Sequence, residues 1–164
     1  MNTYEQNEQE LGMLIILSGL PGSGKSSIGR ALAREIRAVF LRIDSIEREI
    51  ACEADEGYRV AYAVAEDNLR LGMTVIADSV NPIAITRTAW RSVADRAGVR
   101  AVEVEVRCSD VEEHRRRVEE RGTPSWQAVV EREYEAWGDG VISIETAGRS
   151  VAECVAEMRA RMES

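Results

Sequence analysis

Gly19-Leu20-Pro21-Gly22-Ser23-Gly24-Lys25-Ser26 matches the pattern G-x-x-x-x-G-K-S/T, and its flanks give the match meaning. An apolar run, Met13 to Leu17, precedes it, and a segment of 3.6-residue periodicity follows. Strand, glycine-rich turn and helix, in that order, build a loop whose backbone N–H groups face an anion with a helix N-terminus behind them. The glycines let the backbone turn tightly, Lys25 reaches the β- and γ-phosphates, and the Ser26 hydroxyl takes a place on Mg²⁺. The expected nucleotide-binding set is therefore Gly19, Pro21, Gly22, Ser23, Gly24, Lys25, Ser26 and Ser27. The plainer alternative is a glycine-rich turn that only caps a helix. Lys25 weighs against it. Of 21 basic residues it is the one lysine, and it stands where a point-charge ammonium suits a phosphate.

Working outward, short apolar runs alternate with longer helical segments. The spacing predicts strands over Met13–Ser18, Val39–Ile43, Thr74–Ala77, Arg100–Arg107 and Val141–Ile144. Helices are expected from Lys25 to Arg37, from near Ser45, from Tyr58 to Leu71, and from Asn81 to Ala97 with Asn81 as N-cap and Pro82 as first helical residue. Gly72 and Gly98 read as left-handed stops. Ser109, with Glu112, is expected to cap a charged helix ending at Arg121. Gly122 to Pro124 break it, Trp126 to Trp137 form another helix, and Ser150 with Glu153 open the last one, to Met162. Five strands separated by helices predict an α/β fold, a three-layer α/β/α domain around a parallel sheet.

Two aspartates stand where strands end, the edge at which open α/β sheets bind ligands. Asp78, after Met73–Ala77, is the candidate Mg²⁺ carboxylate, or else a turn residue bonding to the backbone near Ser79–Asn81. Asp44, after the second strand, is the candidate base that accepts a proton from an attacking hydroxyl, or an N-cap with Glu47 in a capping box. Arg117 and Arg121 share a helix face and are candidates to neutralise charge over the phosphates, with Arg121, beside the break, the better lid residue. Glu112–Arg116 and Glu113–Arg117 pairs on a solvated helix are the alternative. Arg48, Asn81 and Arg87 complete a candidate substrate-binding group with Asp44. His114, among charged neighbours, is expected on the surface, and Trp90, Trp126 and Trp137 in helix cores.

Composition narrows the classes. A net charge of −8 argues against a nucleic-acid partner, which needs an electropositive surface. No apolar run is long enough to cross a bilayer. The three cysteines, Cys52, Cys108 and Cys154, show no clip spacing and read as reduced thiols in a cytoplasm. Residues 1–10 are polar and acidic and are expected as a disordered tail. With no second lysine, an N-K-x-D guanine motif cannot exist, so ATP rather than GTP is the expected nucleotide.

GLPGSGKSS (19–27), RIDSIER (42–48), VIADSVNP (75–82), HRRRVEER (114–121) and ISIETAGRS (142–150) together resemble the small bacterial P-loop kinases of the AAA-family ATPase group, which are similar to gluconate kinase, adenylylsulfate kinase, chloramphenicol phosphotransferase and the zeta toxins. The resemblance implies a P-loop NTPase fold with strand order 2-3-1-4-5 over residues 11–164 and a short lid around 115–126. It implies Asp44 as the substrate-activating aspartate, Asp78 at the Walker B position, and Arg117 or Arg121 as the lid arginine. Thr146, Ala147 and Gly148 would lie near the adenine. The implied activity is transfer of the γ-phosphate of ATP, with Mg²⁺, to a hydroxyl of a small molecule, by a monomer or homodimer. Two alternatives stand beside it: a nucleotide-dependent regulatory ATPase without such an acceptor, and a kinase of nucleic-acid 5′-hydroxyls.

Overall fold

The computed structural model describes residues 11–51 and 55–164; the tail expected over 1–10 lies outside them, as does Cys52. Strand β1 (Met13–Ser18) is apolar on both faces because it is the middle of the sheet. Leu14 and Ile16 point to one core, Ile15 and Leu17 to the other. Around it lie β2 (Val39–Arg42), β3 (Val75–Asp78), β4 (Arg100–Arg107) and β5 (Ile142–Glu145), all parallel, in the order β2-β3-β1-β4-β5. This is the expected five-stranded sheet. Leu14 pairs with Val75 on one side, and Met13 with Arg100 on the other.

Helix α1 (Lys25–Ile36) lays Ile28 and Leu32 against the Ile15–Leu17 core and meets α7 (Val151–Met162) there. The opposite face is covered by α2 (Ile43–Ile50), α3 (Glu56–Arg70) and α4 (Ala84–Ala97), which supply Ile43, Ala61, Leu69 and Trp90 to the second core. Helices α5 (Val111–Arg121) and α6 (Trp126–Val130) follow β4. The result is the predicted three-layer sandwich, with every strand's C-terminal end at one edge. Among the described residues no helix is long and apolar enough to cross a membrane.

Four local expectations are corrected. The second strand stops at Arg42, and α2 begins at Ile43 with Arg42 as N-cap, so Asp44 lies in the helix's first turn and caps nothing. An acidic residue there is favoured by the helix dipole without a capping bond. Asn81 is not an N-cap either. It sits buried with φ +50°, its Nδ2 donates to the Ser18 hydroxyl at 2.9 Å, and α4 starts three residues later behind Ile83. Asp110, not Ser109, caps α5 by accepting the Glu113 N–H at 2.9 Å.

The fourth correction is the largest. The helix expected from Trp126 to Trp137 ends at Val130. Tertiary bonds hold the following residues off the helix. The Glu135 N–H donates to the Pro82 carbonyl at 2.8 Å, and its carboxylate accepts the Ala84 N–H at 3.0 Å, a cap for α4 from 51 residues away. Arg87 fixes the same segment. Only 4% exposed, it donates to the main-chain oxygens of Asn81, Pro82, Glu135 and Ala136 at 2.6–3.2 Å. Its guanidinium also lies 3.8 Å from the Trp137 ring centre. Arg87 is thus a clamp between α4 and residues 134–137, and the substrate contact expected of it is not what its geometry serves. Arg87→Met should cost about 2–3 kcal/mol in urea unfolding, since it strips a shared donor from the buried Asn81 carbonyl and from the partly buried carbonyls of Pro82, Glu135 and Ala136. Lysine should not rescue it, because four bonds at these angles need the planar fork.

Candidate active site

The glycine-rich loop runs from the end of β1 to the start of α1, and two of its glycines are required by contact. A Cβ at Gly19 would come within 2.4 Å of the Val106 carbonyl oxygen. At Gly22, where φ is +80°, it would meet Val118 Cγ2 at 2.6 Å. The loop therefore rests on β4 and on α5. His114, expected on the surface, is instead buried under it, with Nε2 donating to the Pro21 carbonyl at 2.8 Å and the ring edge-on to Trp126 at 5.1 Å. The signal for this was present: His114 and Val118, four apart, form the one weakly polar stripe of a charged helix.

Lys25 is buried at the loop's end. Burial pushes its ammonium below the ordinary lysine pKa. Asp78 and then Asp44 pull it back up, while Arg121 and Arg42 add to the depression. Next to it, the Ser26 hydroxyl donates to Asp78 Oδ2 at 2.5 Å, and Asp78 is only 2% exposed. Arg42, which the sequence reading passed over, bridges the two aspartates: Nη2 is 3.2 Å from Asp44 Oδ2 and Nε 3.7 Å from Asp78 Oδ2. Asp44 is half exposed, at 50% of its side chain, so its second oxygen is open to a ligand. Asp44, Asp78, Lys25 and Ser26 are thus brought to one place.

An open cleft of about 500 Å³ runs along the loop, within the range of small-molecule sites. Gly22, Gly24, Lys25, Ser26 and Ser27 line one wall, Arg117 and Arg121 another, and Thr146 and Arg149 a third. Gly19, Pro21 and Ser23 hold the loop's shape: the Gly19 N–H donates to the Val80 carbonyl at 3.2 Å, the Ser23 N–H to the Leu20 carbonyl at 3.1 Å, and the Pro21 carbonyl accepts from His114. Ala147 and Gly148 turn their N–H groups inward, to Glu145 and Glu113 carboxylate oxygens, each at 2.9 Å. Thr146 Oγ1 lies 2.7 Å from the Ser23 carbonyl oxygen and accepts from Arg117 Nη1 at 2.8 Å.

The two α5 arginines differ. Arg117 is anchored, donating to Thr146 Oγ1, to the Thr146 carbonyl at 3.1 Å and to the Glu113 carboxylate. Arg121 is exposed, near enough to Lys25 to depress its pKa, and among the described residues makes no side-chain hydrogen bond or ion pair. Arg48, expected near the substrate, pairs with Glu49 at the surface, the two side chains being 67% and 75% exposed.

The residues fit a magnesium triphosphate. Among the described residues the buried ammonium has no hydrogen-bonded acid of its own, and the loop is glycine where side chains would collide. A serine hydroxyl and one carboxylate, 2.5 Å apart, are the sparse oxygen donors that Mg²⁺ takes when phosphates supply the rest.

Known proteins agree with this architecture. The mycobacterial (Mycobacterium tuberculosis) APS kinase, solved in complex with AMPPNP and APS, superposes with a TM-score of 0.79 over 93% of this chain and 98% of that one, at 23% identity. A gluconokinase from Sinorhizobium meliloti does so with a TM-score of 0.68 over 94% and 93%, at 20% identity. Identities this low speak for the fold. In sequence, an adenylyl-sulfate kinase of Myxococcus xanthus is 31% identical over 109 residues, 58% of this chain and 57% of that protein. A probable adenylyl-sulfate kinase of Aeropyrum pernix is 30% identical over 122 residues, 66% of this chain and 65% of its own length. The match thus spans less than two thirds of either curated relative. The family model described as AAA domain matches residues 14–140, and with most of its length so matched on a P-loop NTPase fold, the chain belongs to that family.

Proposed function

We propose that the protein is an ATP-dependent phosphotransferase that moves the γ-phosphate to a hydroxyl of a small molecule. The observation that carries this reading is the buried Lys25 beside the Ser26–Asp78 pair, with the half-exposed Asp44 within electrostatic reach. The two curated relatives named as adenylyl-sulfate kinases support the reaction class.

In this reading the loop N–H groups and Lys25 hold the β- and γ-phosphates, and Ser26 and Asp78 hold Mg²⁺, which supplies charge neutralisation to the transferring group. Asp44 orients the acceptor hydroxyl and takes its proton as the new oxygen–phosphorus bond forms and the bond to the ADP oxygen breaks. Arg42 holds Asp44 in place. Arg121, free to move, neutralises charge on the transferring phosphoryl, while Arg117 positions Thr146 and the loop.

Two variants separate those arginine roles. Arg121→Ala should lower kcat by about 10²-fold with ATP affinity nearly kept, as for loss of one transition-state donor. Arg117→Ala should weaken ATP binding more than kcat, because it unties the Thr146 and Ser23 contacts. Steady-state ADP release at varied ATP, with an acceptor present, reads both. The opposite pattern would exchange the two assignments. ATP uptake with no phosphorylated product from any acceptor would instead favour the regulatory ATPase.

A further inference from the structure

Arg42 ends β2 and lines the same cleft as Lys25, Ser26 and Arg121, and the two carboxylates it faces use only part of its guanidinium. Nη2 donates to Asp44 Oδ2 at 3.2 Å. Nε lies 3.7 Å from Asp78 Oδ2, too far for a hydrogen bond, and is a buried donor with no partner among the described residues. Nη1 makes no hydrogen bond among the described residues either. A guanidinium carries five N–H donors, so most of this one's are uncommitted. The side chain is nonetheless fixed: it is tied to Asp44 and only 19% exposed, unlike the exposed and unpaired Arg121. A donor held at a cleft wall without its full set of acceptors points to a ligand that completes it.

Charge gives the second observation. Burial lowers the Lys25 pKa most, and Arg121 and Arg42 both push it further down. Three cations, from α1, α5 and β2, therefore converge where the ammonium is only 6% exposed. Like charges gathered in a site with little water destabilise one another until an anion lies among them. Asp78 offsets part of this, but one of its oxygens already accepts the Ser26 hydroxyl at 2.5 Å. An anion with several oxygens, placed where Lys25 reaches, meets the open donors of Arg42 as well.

Resting on the phosphotransferase reading, we infer that Arg42 is a further catalytic residue, a fixed arginine on β2 whose open donors take an oxygen of the γ-phosphate while Nη2 keeps Asp44. One side chain then links the group being transferred to the carboxylate that orients its acceptor. ADP lacks that phosphate, so Arg42 is also the residue by which the site tells ATP from ADP.

The test is calorimetry in the presence of Mg²⁺, with ATP and with ADP, on wild type, Arg42→Met and the double variant Arg42→Met/Asp44→Asn. One charge-assisted hydrogen bond corresponds to roughly ten- to hundredfold in affinity. Arg42→Met should therefore weaken ATP at least about tenfold and leave ADP nearly unchanged. The double variant removes one positive and one negative charge together, and should keep the loss that is specific to ATP. Recovery of ATP affinity in it overturns the proposal, because the loss would then come from Asp44 left unneutralised before the phosphates. Equal weakening of ATP and ADP, or no weakening, also overturns it and leaves Arg42 as a positioning residue for Asp44, with the kinase reading standing. A lowered melting temperature at an unchanged ATP-to-ADP ratio marks a merely structural Arg42 and overturns it too. Wild type that binds neither nucleotide overturns the kinase reading itself.

Discussion

Lys25→Met is expected to lower phosphoryl transfer by about 10²–10³-fold, the loss that follows removal of one charge-stabilising donor from a dry site. It should do so without lowering the stability of the ligand-free protein. The ammonium is buried, and burial holds its pKa below the ordinary value of 10.5. A charge in that position costs the folded state free energy, and methionine of similar length removes the cost. Asp78 keeps Ser26 and Arg42 as partners in the variant. The sign of the pH effect follows. Between the lowered folded value and 10.5 the unfolded chain still holds the lysine proton and the folded chain has released it. Stability contributed by this group therefore rises with pH through that window. Urea unfolding of wild type and Lys25→Met across the alkaline range should show the rise in the first and not in the second. A variant that unfolds more readily at neutral pH while still turning over would contradict this account of Lys25.

Asp44→Asn is the second large effect. The carboxylate is half exposed, bonded on one side to Arg42 and open on the other. On the proposed base role, its replacement by an amide should reduce kcat by about 10²–10⁴-fold, the usual worth of a positioned base. ATP affinity should change little, because Asp44 touches neither the loop nor Ser26. Asparagine keeps the shape and the helix position, so the fold has no reason to fail. Single-turnover measurement of product with ATP saturating checks this. Full activity in Asp44→Asn would remove the base role and leave Asp44 as a first-turn acid that favours the dipole of α2.

The sheet and the phosphate loop were legible because each rests on local pattern. Met13–Ser18 is apolar on both faces, as a central parallel strand must be, and its limits are those observed. The Ser150–Glu153 capping box was equally readable, since donor and acceptor lie within one turn. What escaped the sequence depends on partners far along the chain. Asn81-Pro82 has the composition of a helix start, yet a carboxylate from Glu135 caps that helix, and Asn81 turns into the left-handed region to reach Ser18. Residues 131–137 have helical spacing, but Arg87 and Pro82 bind their backbone instead. His114 read as surface because its neighbours are charged, though their charges point away from the face it shares with Val118. Asp44 and Asp78 lie at one edge, though Asp44 reaches it from the first turn of α2 and not from the strand end. Arg42 was missed because an arginine at a strand end carries no mark until both of its acids are seen in space.

The central claim is that the loop around Lys25 grips the phosphates of a nucleotide. Isothermal calorimetry of the folded protein with ATP and Mg²⁺ tests it most directly. One equivalent of ATP should bind, with the heat lost in Lys25→Met and weakened when Mg²⁺ is chelated. Absence of any uptake by well-folded protein, even at high nucleotide concentration, would contradict the claim and everything built on it.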